Sequence, residues 1–117
     1  MKFFKIIFAV LMLTSVQSFG QEDVQIPNII TPNGDSVNDI FSIRTSNFEQ
    51  LTCTIFNRHG SPVFRYFGLN GTWDGYTHAG VKVSPGTYFV FVELTNNEGV
   101  VETRQGTLFV QYEKESN

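Results

Sequence analysis

Apolar and polar positions alternate along most of the chain, and no long stretch sets apolar residues at helical spacing. Short runs rich in Val, Ile, Phe, Thr and Tyr recur between turn signals about every 8 to 12 residues, the rhythm of an antiparallel sandwich or barrel. The strands predicted are Val24–Ile30, Ile40–Thr45, Gln50–Asn57, Pro62–Phe67, Gly86–Thr95 and Val100–Tyr112, the last bent near Gly106. Within "LTCTIFN", alternation places Leu51, Cys53 and Ile55 on the core face. In "GTYFVFVEL" both faces are apolar, Tyr88, Val90, Val92 and Leu94 on one and Phe89 and Phe91 on the other. That pattern predicts a central strand covered on both sides.

The punctuation between runs has definite turn chemistry. Ser84-Pro85-Gly86-Thr87 fits a type II turn, with Pro85 presetting one φ and Gly86 supplying the positive φ that follows. Asn70-Gly71, His59-Gly60 and Asn97-Glu98-Gly99 have the polar-plus-glycine form that closes hairpins.

The amino terminus departs from this pattern. Lys2 and Lys5, an apolar stretch from Ile6 to Leu13, and the small residues Ser18 and Gly20 form the three parts of a secretory signal peptide. The apolar part is about 8 residues, against the roughly 20 that a bilayer-spanning helix needs. Residues 1–20 are therefore expected to be removed after Gly20. Residues 21–117 then form one domain with no membrane span, ending in a polar, frayed tail at 113–117.

Charge and cysteine usage narrow the partners. Loss of Lys2 and Lys5 leaves about six basic side chains against 11 acidic ones, a charge near −5 that repels phosphate backbones and argues against nucleic acid. Cys53 is the lone cysteine, so an exported domain must hold together by packing rather than by a disulfide. Its apolar setting reads as a small buried hydrophobe.

Catalytic patterns are sparse. His59 and His78 are the two histidines, each near a glycine in a predicted turn, and neither has a metal-spaced partner. No Gly-x-Ser-x-Gly elbow and no phosphate-cradling loop appears. The stretch "TPNGDSVND", Thr31 to Asp39, alternates oxygen donors. Asn33, Asp35 and Asp39 could surround a hard cation such as calcium. Arg44 stands where a bidentate glutamate would close such a loop, and the competing reading is a metal-free turn held by side-chain bonds to the backbone. Trp73 in "GTWDGY" likewise has two readings. It plugs the core, with Asp74-Gly75 turning the chain away, or it forms with Tyr76 and His78 a surface platform for a sugar ring.

Taken together, "IPNIITPNGDSVNDIF", "FNRHGSPVF", "WDGYTHAGVKVSPGTYFVFVEL" and "GTLFV" resemble, over roughly Ile26 to Val110, the gliding motility-associated C-terminal domain, the type B sorting domain of the type IX secretion system. The resemblance implies an immunoglobulin-like antiparallel β-sandwich of six to seven strands. It implies a non-enzymatic address, needing no cofactor, that is recognised by outer-membrane secretion machinery for release or surface attachment. The polar groups singled out for recognition are Asn33, Asp35, Asn38 and Asp39 on one loop and Arg58 and His59 on another; Trp73, Asp74, Gly75, Pro85 and Gly86 are expected to be structural. Family members usually carry tryptophan at the position of His59 and glycine at that of Ser36, so a positive-φ backbone at Ser36 is expected to be strained by about 1 kcal/mol. The alternative is a stand-alone module for glycans or surface proteins, using Trp73, Tyr76 and His78 with or without calcium.

Overall fold

The computed structural model describes residues 23–112. The expected signal peptide and the tail at 113–117 lie outside the described residues. Seven strands follow in order: β1 Val24–Gln25, β2 Ile29–Ile30, β3 Arg44–Thr45, β4 Gln50–Phe56, β5 Pro62–Phe67, β6 Gly86–Thr95 and β7 Val101–Val110. They form a five-stranded sheet ordered β2-β7-β6-β4-β5, faced by a two-stranded sheet of β1 and β3. The chain is all-β over the described residues, a sandwich of two unequal layers.

The inward face of the large sheet is the expected one. Leu51, Cys53 and Ile55 of β4, Tyr88, Val90, Val92 and Leu94 of β6, and Leu108 and Val110 of β7 are all buried. Val24, Ile30, Phe41, Ile43, Tyr66, Trp73 and Val83 complete the core of the described residues. Phe41 and Trp73 are joined by a two-way backbone bridge, with Phe41 N–H donating to the Trp73 carbonyl at 2.8 Å and Trp73 N–H returning to Phe41 at 3.0 Å.

Four expectations need correction. The predicted strand Val24–Ile30 is two strands, β1 in the small sheet and β2 in the large one. Pro27, which has no N–H for a ladder, lies where the chain changes sheets. The run Ile40–Thr45 keeps its inward alternation at Phe41 and Ile43, but only Arg44–Thr45 pairs as a strand. β2 pairs with β7 in parallel, while the other strand pairs are antiparallel. β6 is central, but its outer face is open: Phe89 is 44% exposed.

Two glycines serve purposes other than those expected. The pairing of β6 with β7 continues in register through Gly106, which faces Val90. A Cβ on Gly106 would lie 3.1 Å from Ile26 Cγ2, so the absent side chain makes room for Ile26. Gly71 closes no hairpin; the Tyr66 ring occupies the space where its Cβ would be.

Candidate functional site

One end of the sandwich carries both predicted recognition loops. Ile30 faces Val110, Val110 faces Gly86, and Phe56 faces Phe89, so the ends of β2 and β4 and the start of β6 lie together. From this end leave the 31–40 loop, the β4–β5 hairpin and the Ser84–Gly86 turn.

The 31–40 loop folds around the Asp39 carboxylate. Asp39 Oδ1 accepts from the N–H groups of Asn33 at 3.1 Å and Gly34 at 3.3 Å, and Oδ2 accepts from Ser36 N–H at 2.7 Å. Asn33 Oδ1 accepts from Asp35 N–H at 3.1 Å, and Asp35 Oδ1 from Val37 N–H at 2.9 Å. Positive φ values at Gly34 (85°), Ser36 (69°) and Asn38 (54°) alternate with ordinary ones and turn successive amides inward. Such a backbone concavity favours an anion, and here its anion is the chain's own Asp39. Asn38 holds the neck: its carbonyl accepts from Thr31 N–H at 2.7 Å. The side-chain oxygens considered for calcium at Asn33, Asp35 and Asp39 thus accept from backbone amides, the bonding that the metal-free turn calls for. Ser36 does adopt the left-handed backbone expected of it, a conformation that costs a non-glycine residue about 1 kcal/mol.

Arg58 and His59 stand exposed at the tip of the β4–β5 hairpin. Asn57 builds that tip: its N–H donates to the Ser61 carbonyl at 2.9 Å, its carbonyl accepts from Gly60 N–H at 3.0 Å, and its Oδ1 accepts from the N–H groups of His59 and Ser61. Beside it lies a cleft of about 160 Å³ lined by Arg58, His59, Pro85, Gly86, Thr87 and Tyr88. Across the cleft, Tyr88 Oη donates to the Ser84 carbonyl at 2.5 Å, and Gly86 has the expected positive φ, 140°. Burial raises the Tyr88 hydroxyl above its ordinary pKa, with nearby Arg58 opposing the shift. The two recognition loops share an end but not this cleft, whose lining comes from the hairpin and from Ser84–Tyr88.

The same five-residue turn recurs twice more. Thr77 N–H donates to the Val81 carbonyl at 2.8 Å, Gly80 N–H to the Thr77 carbonyl at 2.9 Å, and Thr77 Oγ1 accepts from Val81 N–H. Asn96 bonds to Glu98, Gly99 and Val100 in the same way. Gly60, Gly80 and Gly99 all sit at φ between 83° and 88°. "NRHGS", "THAGV" and "NNEGV" are thus one device, a side-chain oxygen at the first position and a left-handed glycine at the fourth.

Trp73 is a core residue, 1% exposed, with Nε1–H donating to the Tyr76 carbonyl at 2.8 Å and Tyr88 edge-on at 6.1 Å. Its ring cannot serve as a surface platform, so the sugar-stacking arrangement of Trp73, Tyr76 and His78 is not formed. Asp74 Oδ1 accepts from Tyr76 N–H at 3.2 Å, and buried Gly75 turns the chain at φ 93° against Pro32 and Tyr112. His78 stacks on Phe64 at 4.3 Å and 17°, with Nε2 3.0 Å from the Arg65 carbonyl and 3.2 Å from its amide. The sequence predicts His78 only as a turn residue, and its packing on β5 goes beyond that. The likeness of "THAGV" to "NRHGS" identifies the turn, but not the strand it lies against.

Among the described residues, no group of three or more His, Cys, Asp or Glu side chains is placed to hold a metal, and no helix is long and apolar enough to cross a membrane. Cys53 is fully buried, and burial pushes its thiol up to about 12. Neighbouring Tyr66 is raised too, by burial first and by Cys53 second; its hydroxyl makes no hydrogen bond of ordinary geometry.

The two facing sheets and the single core between them define an immunoglobulin-like β-sandwich. Residues 24–110 match the CHU_C type IX secretion signal domain, and the chain belongs to that family. Among solved structures, CopC from Methylosinus trichosporium OB3b shares the fold at TM-score 0.54 and 13% identity, over 82% of this chain and 96% of that one. No curated protein matches the chain significantly.

Proposed function

We propose that the domain is a non-enzymatic export address. A signal peptide takes the chain across the inner membrane; the folded sandwich is then read by outer-membrane type IX machinery, for release or for retention at the cell surface. The observation that carries this reading is the family match, which spans all seven strands. The architecture supports it. The loops that would be read hold their shape through their own side chains, so little ordering entropy remains to be lost when a partner docks. Asn33, Asp35, Asn38 and Asp39 shape one contact loop, and Arg58 and His59 form the exposed tip of the other.

The test is a reporter carrying a signal peptide at its start and residues 21–117 at its end. Export should require the type IX secretion system. Equal export with and without that system would remove the proposal.

A further inference from the structure

The large sheet has two edges, and the chain treats them differently. Along β5, His78 lies against the edge with its ring on Phe64 and Nε2 at the Arg65 backbone. Protonated at Nε2 it donates to the carbonyl; unprotonated there, it accepts from the amide. Either way, a side chain covers backbone groups on which another strand could pair.

Along β7 the cover stops early. β2 pairs only with Phe109 and Val110, and Phe109 N–H donates outward to the Asn28 carbonyl at 2.9 Å. Backbone groups of alternate residues point the same way, so those of Thr107, Gln105 and Thr103 also face away from β6. All three residues are exposed, and among the described residues β2 is the only strand beside β7 on this side. The segment before β2 does not extend the ladder: Pro27 has no N–H, and Ile26 turns onto Gly106 at the core face. Beside the open stretch, on the outer face of the sheet, runs a groove of about 620 Å³ lined by Phe56, Phe89, Phe91, Gln105 and Thr107.

We propose that the secretion machinery engages the domain on this edge, adding an extended strand of its own to β7 across Thr103–Thr107. The backbone of that strand pairs with the outward amides and carbonyls. An aromatic or β-branched side chain from it fills the groove over Phe89 and Phe91, so that the ladder supplies affinity and the groove selectivity. The proposal rests on the export reading and specifies its contact surface. His78 interrupts the β5 edge at Arg65, midway along the strand, which leaves the Thr103–Thr107 stretch of β7 as the longer open ladder.

Proline separates backbone from side chain here, because an outward N–H can be deleted at an edge without breaking the ladder to β6. In the export reporter, Gln105→Pro and Thr103→Pro should each lower machinery-dependent export by about tenfold, and each by at least about fivefold more than the matching Gln105→Ala or Thr103→Ala, which keeps the outward N–H. Purified domains carrying either proline should still melt cooperatively; loss of melting in both would mean those amides are paired already and overturns the proposal. Folded proline variants exported like the parent overturn it while leaving the export reading intact. A parent reporter indifferent to the machinery removes that reading instead. A dimer of the purified domain that Gln105→Pro dissolves would assign the edge to a second copy and overturns the proposal as well.

Discussion

The ring of Tyr66 lies directly against the backbone of Gly71: a Cβ built on Gly71 would fall 2.1 Å from Tyr66 Cδ1. Gly71 lacks a positive φ, so its requirement is space, not backbone freedom. Gly71→Ala must displace a core ring, and we expect a loss of at least about 1–3 kcal/mol. For a domain of this size each kcal/mol lowers Tm by roughly 4–8 °C. Tyr66→Phe should do the reverse or nothing, since it keeps the ring and removes a buried hydroxyl whose polar neighbour is the Cys53 thiol, a weak partner that it does not meet in ordinary hydrogen-bond geometry. A clear destabilisation by Tyr66→Phe would show that the hydroxyl is bonded after all.

Asp39 should stabilise its loop much as a capping residue stabilises a helix. Its carboxylate gathers three amides, so Asp39→Ala is expected to cost about 0.5–2 kcal/mol by thermal or urea unfolding. Ser36→Gly should act in the opposite direction by up to about 1 kcal/mol, because glycine relieves the left-handed backbone at φ 69°. Its gain is limited by the extra freedom glycine has in the unfolded chain.

Trp73→Ala should cost roughly 3–5 kcal/mol, the range for removing a large buried ring. Trp73→Phe should cost less, yet still register, because the Tyr76 carbonyl loses the indole N–H at 2.8 Å. Chemical denaturation of the two variants ranks them, and a fully stable Trp73→Ala would contradict the buried placement.

Cys53 gives an alkaline signature. Its pKa rises from 9.0 to about 12 in the fold because burial disfavours the thiolate. A raised folded pKa leaves its stabilising contribution intact below pH 9; that contribution is then lost as pH climbs from 9 towards 12, where the unfolded chain ionises more readily. Ionisation of Cys53 should therefore give Tm no pH dependence near neutrality, and above pH 9 Tm should fall more steeply than in Cys53→Ala. A thiol reagent at pH 8 should label Cys53 only as fast as the domain opens. Rapid stoichiometric labelling of the native protein would overturn the assignment.

Much of the large sheet was legible because its signals are local. β5 and β6 begin and end where predicted, and β4 differs only by excluding Asn57. In each, alternation sets the face and a proline or glycine sets the start or the turn. The division of Val24–Ile30 was not legible, since which sheet accepts each half depends on Arg44–Thr45 and Phe109–Val110, both distant in sequence. Phe89 and Phe91 suggested cover on both faces of β6, but aromatic composition cannot report whether a second layer lies over them. At the candidate site, the turn chemistry of residues 31–39 and of Asn57 was readable, while His78 at Arg65, 13 residues away, depends on the tertiary fold.

The three Asn- or Thr-headed turns divide labour within themselves. Position one and the glycine fix the bend, which leaves the side chains of Arg58 and His59, of Ala79, and of Asn97 and Glu98 without a part in shaping it, whereas His78 is held against β5. Drift at those middle positions can therefore alter what the surface displays while the scaffold stays constant, so related chains could diversify their tips and diverge in partner without a new architecture.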